Sequence, residues 1–314
     1  MENIIENGFY FDILINESLF NIDLEKCINT NKNKYLLSMV NDFEDGKWRD
    51  SKFDSYIWDN IAQTALSEKE RNCLVKKHYS ELVEAAKNLR LTDSENDENS
   101  KGSELAEIIL YGIMKDYYNA LPVVPKIFYK QNSQDYAKGA DSVHIVIEDN
   151  DFSLWFGEAK FYNSIETARL SVIIESIRNS LKSDKIKKEN SIIRNISDID
   201  NLNIEQAVKE AIKEALKNTE SIDFLKPRIH VPIFILHECK ETNKSCEFST
   251  DYKLRIINIH KERAIAFFKK QAEKLSTEIF KYDEIKFHLI LFPVPEKKPI
   301  VERFIQKASF FKNT

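Results

Sequence analysis

The chain has 314 residues, 42% of them hydrophobic and 31% charged, with only 6 Gly and 7 Pro. That composition suits a folded chain with a sizeable core and excludes collagen-like and Pro/Gly low-complexity classes. The net charge of −5 does not advertise a nucleic-acid binder, yet residues 1–100 carry 12 Lys and Arg against 20 Asp and Glu, while residues 101–314 carry 34 against 31. A surface for a polyanion is therefore expected in the second part, and the acidic first part could shield it or dock a basic partner.

No apolar run approaches the roughly 20 residues of a membrane-spanning helix, so no membrane partner is expected. Met1–Asn7 holds two Glu and no basic residue, unlike a secretory signal. Cys27, Cys73, Cys239 and Cys246 lie far apart, without C-x-x-C or zinc-finger spacing. They read as reduced thiols of a cytoplasmic protein.

In chain order, Gly8–Ile15 reads as a strand with Phe9, Phe11, Ile13 and Ile15 on one face. Charged, helix-compatible sequence follows. Ser67 and Glu70 fit a capping box, opening a helix that reaches about Arg90. The run TDSENDENSKG, Thr92–Gly102, has no apolar residue. It divides the chain into an acidic N-terminal α+β region at 1–92, a linker at 93–102 and a core domain at 103–314. In that domain Ser103 can cap a helix to about Asn119. Pro122 and Pro125 end it, leading into a strand at about Lys126–Lys130. Asp141–Glu148 and Phe152–Phe161 read as strands around the turn Asp149-Asn150. Ile165–Leu181 has helical spacing, Lys182–Asn190 is basic and loosely patterned, and Ile204–Leu216 is an amphipathic helix. Ile229–His237 and Ile285–Phe292 are strands separated by a helix at about Asn258–Phe280. The expected class is α/β, a mixed sheet flanked by helices.

The chemistry concentrates at Asp141 and at Gly157-Glu158-Ala159-Lys160. Side chains alternate along a strand, so Phe152, Leu154, Phe156, Glu158 and Lys160 share a face. If Asp149-Asn150 is a two-residue loop, Glu148 pairs with Asp151 and Asp141 falls opposite Glu158. Opposed residues have Cβ atoms roughly 4.5–5.5 Å apart. Two carboxylates that close repel unless one is protonated or a cation stands between them. A hard divalent ion such as Mg²⁺, with Mn²⁺ as a substitute, takes such oxygens, and the Ala159 carbonyl is a possible further ligand. Lys160 could then hold an attacking water or neutralise phosphate charge. On the upstream helix, at roughly 100° per residue, Glu107 lies at the edge of the apolar surface while Glu104 faces the polar arc. Glu107 is thus the better third carboxylate.

His144 points to the opposite strand face from Asp141 and reads as a packed histidine. Trp155 reads as packed under a helix. Lys182, Lys185, Lys187 and Lys188 are candidate DNA contacts, set against the plainer reading of a solvated face. The same choice applies to Lys269, Lys270 and Lys274, and to Lys297, Lys298, Arg303 and Lys307.

Asp141, the seventeen-position step to Glu158, and Lys160 resemble the PD-(D/E)xK nuclease superfamily, although Ala140 stands where that superfamily usually has Pro. The runs ELAEIILYGIM, KGAD and LWFGEAKFY are similar to the nuclease subunit family of the Hachiman anti-phage defence system. The resemblance is clear over about residues 103–180 and extends in outline over the rest. It implies a restriction-endonuclease-like core, Mg²⁺-dependent DNA cleavage, and a superfamily 2 helicase partner that restrains the nuclease. The rival readings are a catalytically silent platform for the helicase and a nuclease acting on RNA.

Overall fold

The computed structural model describes residues 9–19, 32–91, 102–131, 140–148, 151–195, 204–217 and 219–314. Its strands are β1 (Asp12–Ser18), β2 (Lys34–Val40), β3 (Phe43–Glu44), β4 (Lys47–Trp48), β5 (Leu121–Val124), β6 (Ser142–Glu148), β7 (Asp151–Tyr162), β8 (Ile229–Glu238) and β9 (Lys286–Val294). β3 and β4 form a small ribbon, and the other seven build one sheet in the order β1-β2-β9-β8-β7-β6-β5. The centre is parallel, with β2, β9, β8 and β7 in register. The hairpins β1–β2 and β5–β6–β7 flank it antiparallel. β8 and β9 read as near-continuous apolar runs because helices cover both of their faces.

Helices α1 (Asp50–Ala65), α2 (Glu68–Cys73), α3 (His78–Lys87), α4 (Ser103–Asp116) and α5 (Lys126–Gln131) come before the β6–β7 hairpin. α6 (Thr167–Ser180), α7 (Ser183–Asn195), α8 (Gln206–Ala215) and α9 (Ile222–Leu225) follow it, then α10 (Lys240–Lys244), α11 (Thr250–Leu275) and α12 (Lys297–Lys312). One core packs Phe152, Leu154 and Phe156 of β7 against Ile173 and Ile177 of α6, Ile186 of α7, and Phe267 of α11. The other packs Trp155, Ala159 and Phe161 against Ile108 of α4, Phe53 of α1 and Phe304 of α12. The result is a three-layer α/β fold, as expected.

The expected boundary near residue 92 does not divide this sheet, since β1 and β2 are two of its strands. The proposed linker lies outside the described residues except for Gly102. β1 starts later than expected, and an irregularity between Ile13 and Ile15 breaks the alternation. Ile13 is therefore exposed while Ile15 is buried. The capping box forms, with Ser67 N donating to Glu70 Oε2 at 2.8 Å and Glu70 N donating to Ser67 Oγ at 3.3 Å. The helix it opens stops at Cys73, and α3 is separate, because Lys76 takes a left-handed backbone (φ 68°).

Residues 126–130 are helical, not extended. β5 lies before Pro125, and α5 turns Ile127 into one core while Lys126 is buried against Glu189. Packing overrides the strand preference of Ile, Phe and Tyr there. The basic stretch after residue 182 is the ordered helix α7. α11 begins at Thr250, eight residues earlier than expected, with Ser249 accepting from Tyr252 N at 3.2 Å.

Candidate active site

The β6–β7 register is the expected one. Pairing runs from Glu148↔Asp151 to Ser142↔Gly157, although the turn residues 149 and 150 lie outside the described ones. Asp141 N donates to Gly157 O at 2.7 Å, which carries Asp141 to the end of the ladder beside Glu158. Its carboxylate then folds onto the neighbouring strand, with Asp141 Oδ2 accepting from Ala159 N at 3.0 Å.

Lys160 closes the group. Its Nζ stands 2.6 Å from Glu158 Oε1, 3.3 Å from Asp141 Oδ2 and 3.1 Å from the Ala159 carbonyl. Those oxygens are the donor set expected for a divalent ion, and a cationic nitrogen stands where they converge. The donors are hard, so the residues present fit Mg²⁺ or Mn²⁺. Among the described residues no group of three or more His, Cys, Asp or Glu is gathered in a metal-holding arrangement.

α6 covers this notch. Ser176 donates its hydroxyl to Glu158 Oε1 at 2.6 Å. Glu158 is 6% exposed. Burial first, and the Asp141 charge second, raise its pKa, against the pull of Lys160 and Ser176. For Lys160, burial works against the charge, but Asp141 and Glu158 outweigh it and its pKa is raised. The notch is thus an acidic pair that needs a positive charge, with an ammonium now supplying it.

α4 runs along the opposite face of β7. A Cβ added at Gly102 would lie 3.1 Å from Phe161, and one at Gly157 would lie 2.9 Å from Leu110. Tyr118 packs its ring on Trp155 at 4.7 Å. Glu107, buried on this helix, lies in the layer on the other side of β7 from Glu158 and Lys160, and among the described residues it is not gathered with Asp141 and Glu158 into the expected three-carboxylate group. His144 is fully buried on that same face, against the Tyr111 ring at 4.8 Å. Burial depresses its pKa to about 3.

Lys182, just before α7, and Lys187 on it are exposed, while Lys185 and Lys188 of α7 are half-buried. Lys182 also lines an open cavity of about 510 Å³ with Arg178, Lys226 and Phe280. The late lysines divide differently. Lys297 is buried and donates to Phe161 O at 2.9 Å, which removes it as a DNA contact. Arg303 pairs with Asp50 and Asp54, and Lys307 pairs with Asp54 at 2.9 Å. Cys73, Cys239 and Cys246 are free thiols.

Three contributors were not foreseen in the sequence. Ser176 sits beside the apolar stripe Ile173, Ile174 and Ile177 of α6, and a hydroxyl at that edge was the available signal. Lys126 and Glu189 form a buried ion pair that no local pattern announces.

No curated protein matches the chain. No described helix is long and apolar enough to cross a membrane. The HamA family model matches residues 16–308, spanning most of both cores and the whole notch. On that match, the chain belongs to the HamA family, the A proteins of Hachiman anti-phage defence.

Proposed function

We propose that this HamA protein is a metal-dependent DNA nuclease of the PD-(D/E)xK type and the effector of its defence system. The observation that carries the reading is the convergence of Glu158 Oε1, Asp141 Oδ2 and the Ala159 carbonyl on one cationic nitrogen. Asp141, Glu158 and the Ala159 carbonyl would hold Mg²⁺. The ion would act as a Lewis acid on the scissile phosphodiester. Lys160, whose ammonium stands beside those oxygens, would orient a water or neutralise charge on the phosphate. Ser176 keeps Glu158 aimed, and the exposed Lys182 and Lys187, just before α7 and on its outer face, hold the DNA backbone.

An unrestrained nuclease would attack its own host's DNA. The partner implied by the family is a superfamily 2 helicase, and it restrains the site until it engages DNA and ATP. The acidic N-terminal region is the proposed docking surface.

The deciding experiment is a cleavage assay on single- and double-stranded DNA and on RNA, with and without Mg²⁺ and the co-encoded helicase. The isolated chain should cleave DNA with Mg²⁺ and without ATP. The complex should be silent until DNA and ATP are both present. A chain that cleaves none of these substrates with Mg²⁺ or Mn²⁺ overturns the nuclease reading.

A further inference from the structure

Glu189 lies on the inner face of α7 and is 5% exposed. Its counter-ion is Lys126, the first residue of α5, 3% exposed. Lys126 Nζ reaches both carboxylate oxygens, at 2.9 and 2.7 Å. Ala140 N donates to Glu189 Oε1 at 3.2 Å. The next residue is Asp141.

A buried ion pair is a weak source of stability. The cost of dehydrating both charges largely offsets their attraction, and an apolar pair of similar volume often holds two helices as well. An apolar pair cannot accept the Ala140 N–H, however. That acceptor matters at this point in the chain. Pairing of β6 with β5 ends at Val143, because Pro125 and α5 turn the chain away from the sheet. Glu189 takes the place of a strand and supplies the carbonyl-like oxygen that a neighbouring strand would have provided. Asp141 is then gripped from both sides. Its preceding peptide is held by Glu189, its own N–H by Gly157 O at 2.7 Å, and its carboxylate by Ala159 N at 3.0 Å.

We propose that Glu189, neutralised by Lys126, is a positioning residue for Asp141, fixing the peptide that aims its carboxylate at the cation site. The metal part of this role rests on the nuclease reading above; the aiming of the carboxylate does not. The role is carried by α7, whose outer face presents Lys187, with Lys182 just before its first residue. The helix that offers charge to a phosphate backbone also sets the acid it works beside.

The test compares two double variants of the full chain that both remove the buried charges. Lys126→Met with Glu189→Gln keeps an acceptor oxygen for Ala140 N–H. Lys126→Met with Glu189→Leu does not. Mn²⁺ binding, followed by calorimetry and electron paramagnetic resonance, should stay within about threefold of wild type in the first and weaken about tenfold or more in the second. Hydrogen exchange at the Ala159 amide, which reports the Asp141 carboxylate, should be near wild type in the first and at least about tenfold faster in the second. Equal Mn²⁺ affinity and equal Ala159 exchange in the two variants would overturn the positioning role. If the wild type binds no Mn²⁺, the nuclease reading falls, and the exchange arm alone decides whether Glu189 aims Asp141. Should the Leu variant not fold, exchange in the wild type still decides. The Ala140 amide should be as protected as the Asp141 amide, and exchange at an open-loop rate would sink the idea.

Discussion

Lys160 and Glu158 project from the same side of β7, and the Lys160 ammonium lies 2.6 Å from Glu158 Oε1. The pair is closed on itself, with Asp141 and the Ala159 carbonyl completing the ring of oxygens. Removing the ammonium leaves two carboxylates facing each other. Breaking a fully buried pair costs about 3–5 kcal/mol. The Lys160 side chain is 29% exposed, so water tempers the penalty. Lys160→Ala should lose about 1–3 kcal/mol without divalent ion. It should regain much of that in millimolar Mn²⁺ and cleave at least about 100-fold more slowly. Denaturant melts with and without Mn²⁺, paired with a cleavage assay, check it.

A pH dependence follows from Glu158. Its pKa is raised above 4.5, by burial first and by Asp141 second. The folded chain therefore holds this proton more tightly than the unfolded chain does. The stabilising contribution of the carboxyl is complete below about 4.5 and is lost as pH rises through the raised native value. Lys160 stays charged across that window, since its own pKa is raised by the two carboxylates. A divalent ion needs the ionised carboxylate and so releases the proton on binding. The rise in melting temperature with Mg²⁺ or Mn²⁺ should therefore grow from about pH 5 to about pH 8. Glu158→Gln should flatten that dependence. A metal response that shrinks with rising pH would contradict the assignment.

Ser176 is the outer support of Glu158, donating at 2.6 Å from α6. A hydrogen bond to a charged group contributes about 1.5–3 kcal/mol. Ser176→Ala should weaken Mn²⁺ binding about tenfold with only a modest fall in melting temperature. Ser176→Thr retains the hydroxyl and should bind close to wild type. Calorimetric titration of the three proteins separates the outcomes.

The exposed Lys182, just before α7, and Lys187 on it bear on DNA affinity. Each phosphate contact removed should lower the slope of log affinity against log salt by about 0.9 on duplex DNA. The double variant Lys182→Ala, Lys187→Ala should thus bind more weakly and lose roughly two units of slope if both touch phosphate. Glu158→Gln in the background prevents cleavage during the titration. An unchanged slope would assign these lysines to a solvated face.

Truncation should be harsher than the acidic composition of the first segment suggests. Deleting residues 1–92 removes β1 and β2, and the edge of β9 that pairs with Lys34–Ser38 becomes open. An exposed apolar strand edge invites association. The shortened chain should be aggregated or unfolded by size-exclusion chromatography and circular dichroism. A role of this segment in partner docking is better tested by surface charge reversal, for example at Glu44, whose side chain is 65% exposed.

The closeness of Asp141, Glu158 and Lys160 was legible in the sequence because a two-residue loop fixes hairpin register and strand alternation fixes the face. Asp141, Glu158 and Lys160 needed nothing more than those two rules. The failures have physical causes as well. β2 carries the short apolar run YLLSMV, which periodicity alone does not separate from a helix, and its partner β9 lies far away in the chain. α7 escaped because its inward stripe, Ile186, Glu189, Asn190 and Ile193, is half polar. The polar half is there to hold Lys126 and Ala140, which no local pattern shows.

The place of β2 beside β9 also sets a timetable. Asn33 donates through its side chain to the carbonyls of Tyr282, Asp283 and Ile285, the last 252 positions downstream. Synthesis at roughly 5–20 residues per second puts on the order of 10–50 s between the two segments. During that interval the β1–β2 hairpin has no third strand, and a lone hairpin is marginal in water. The central strand order β2-β9-β8-β7 can be completed only once β9 has left the ribosome. On the nascent chain, β7, the strand that bears Glu158 and Lys160, therefore waits beside an unfinished sheet.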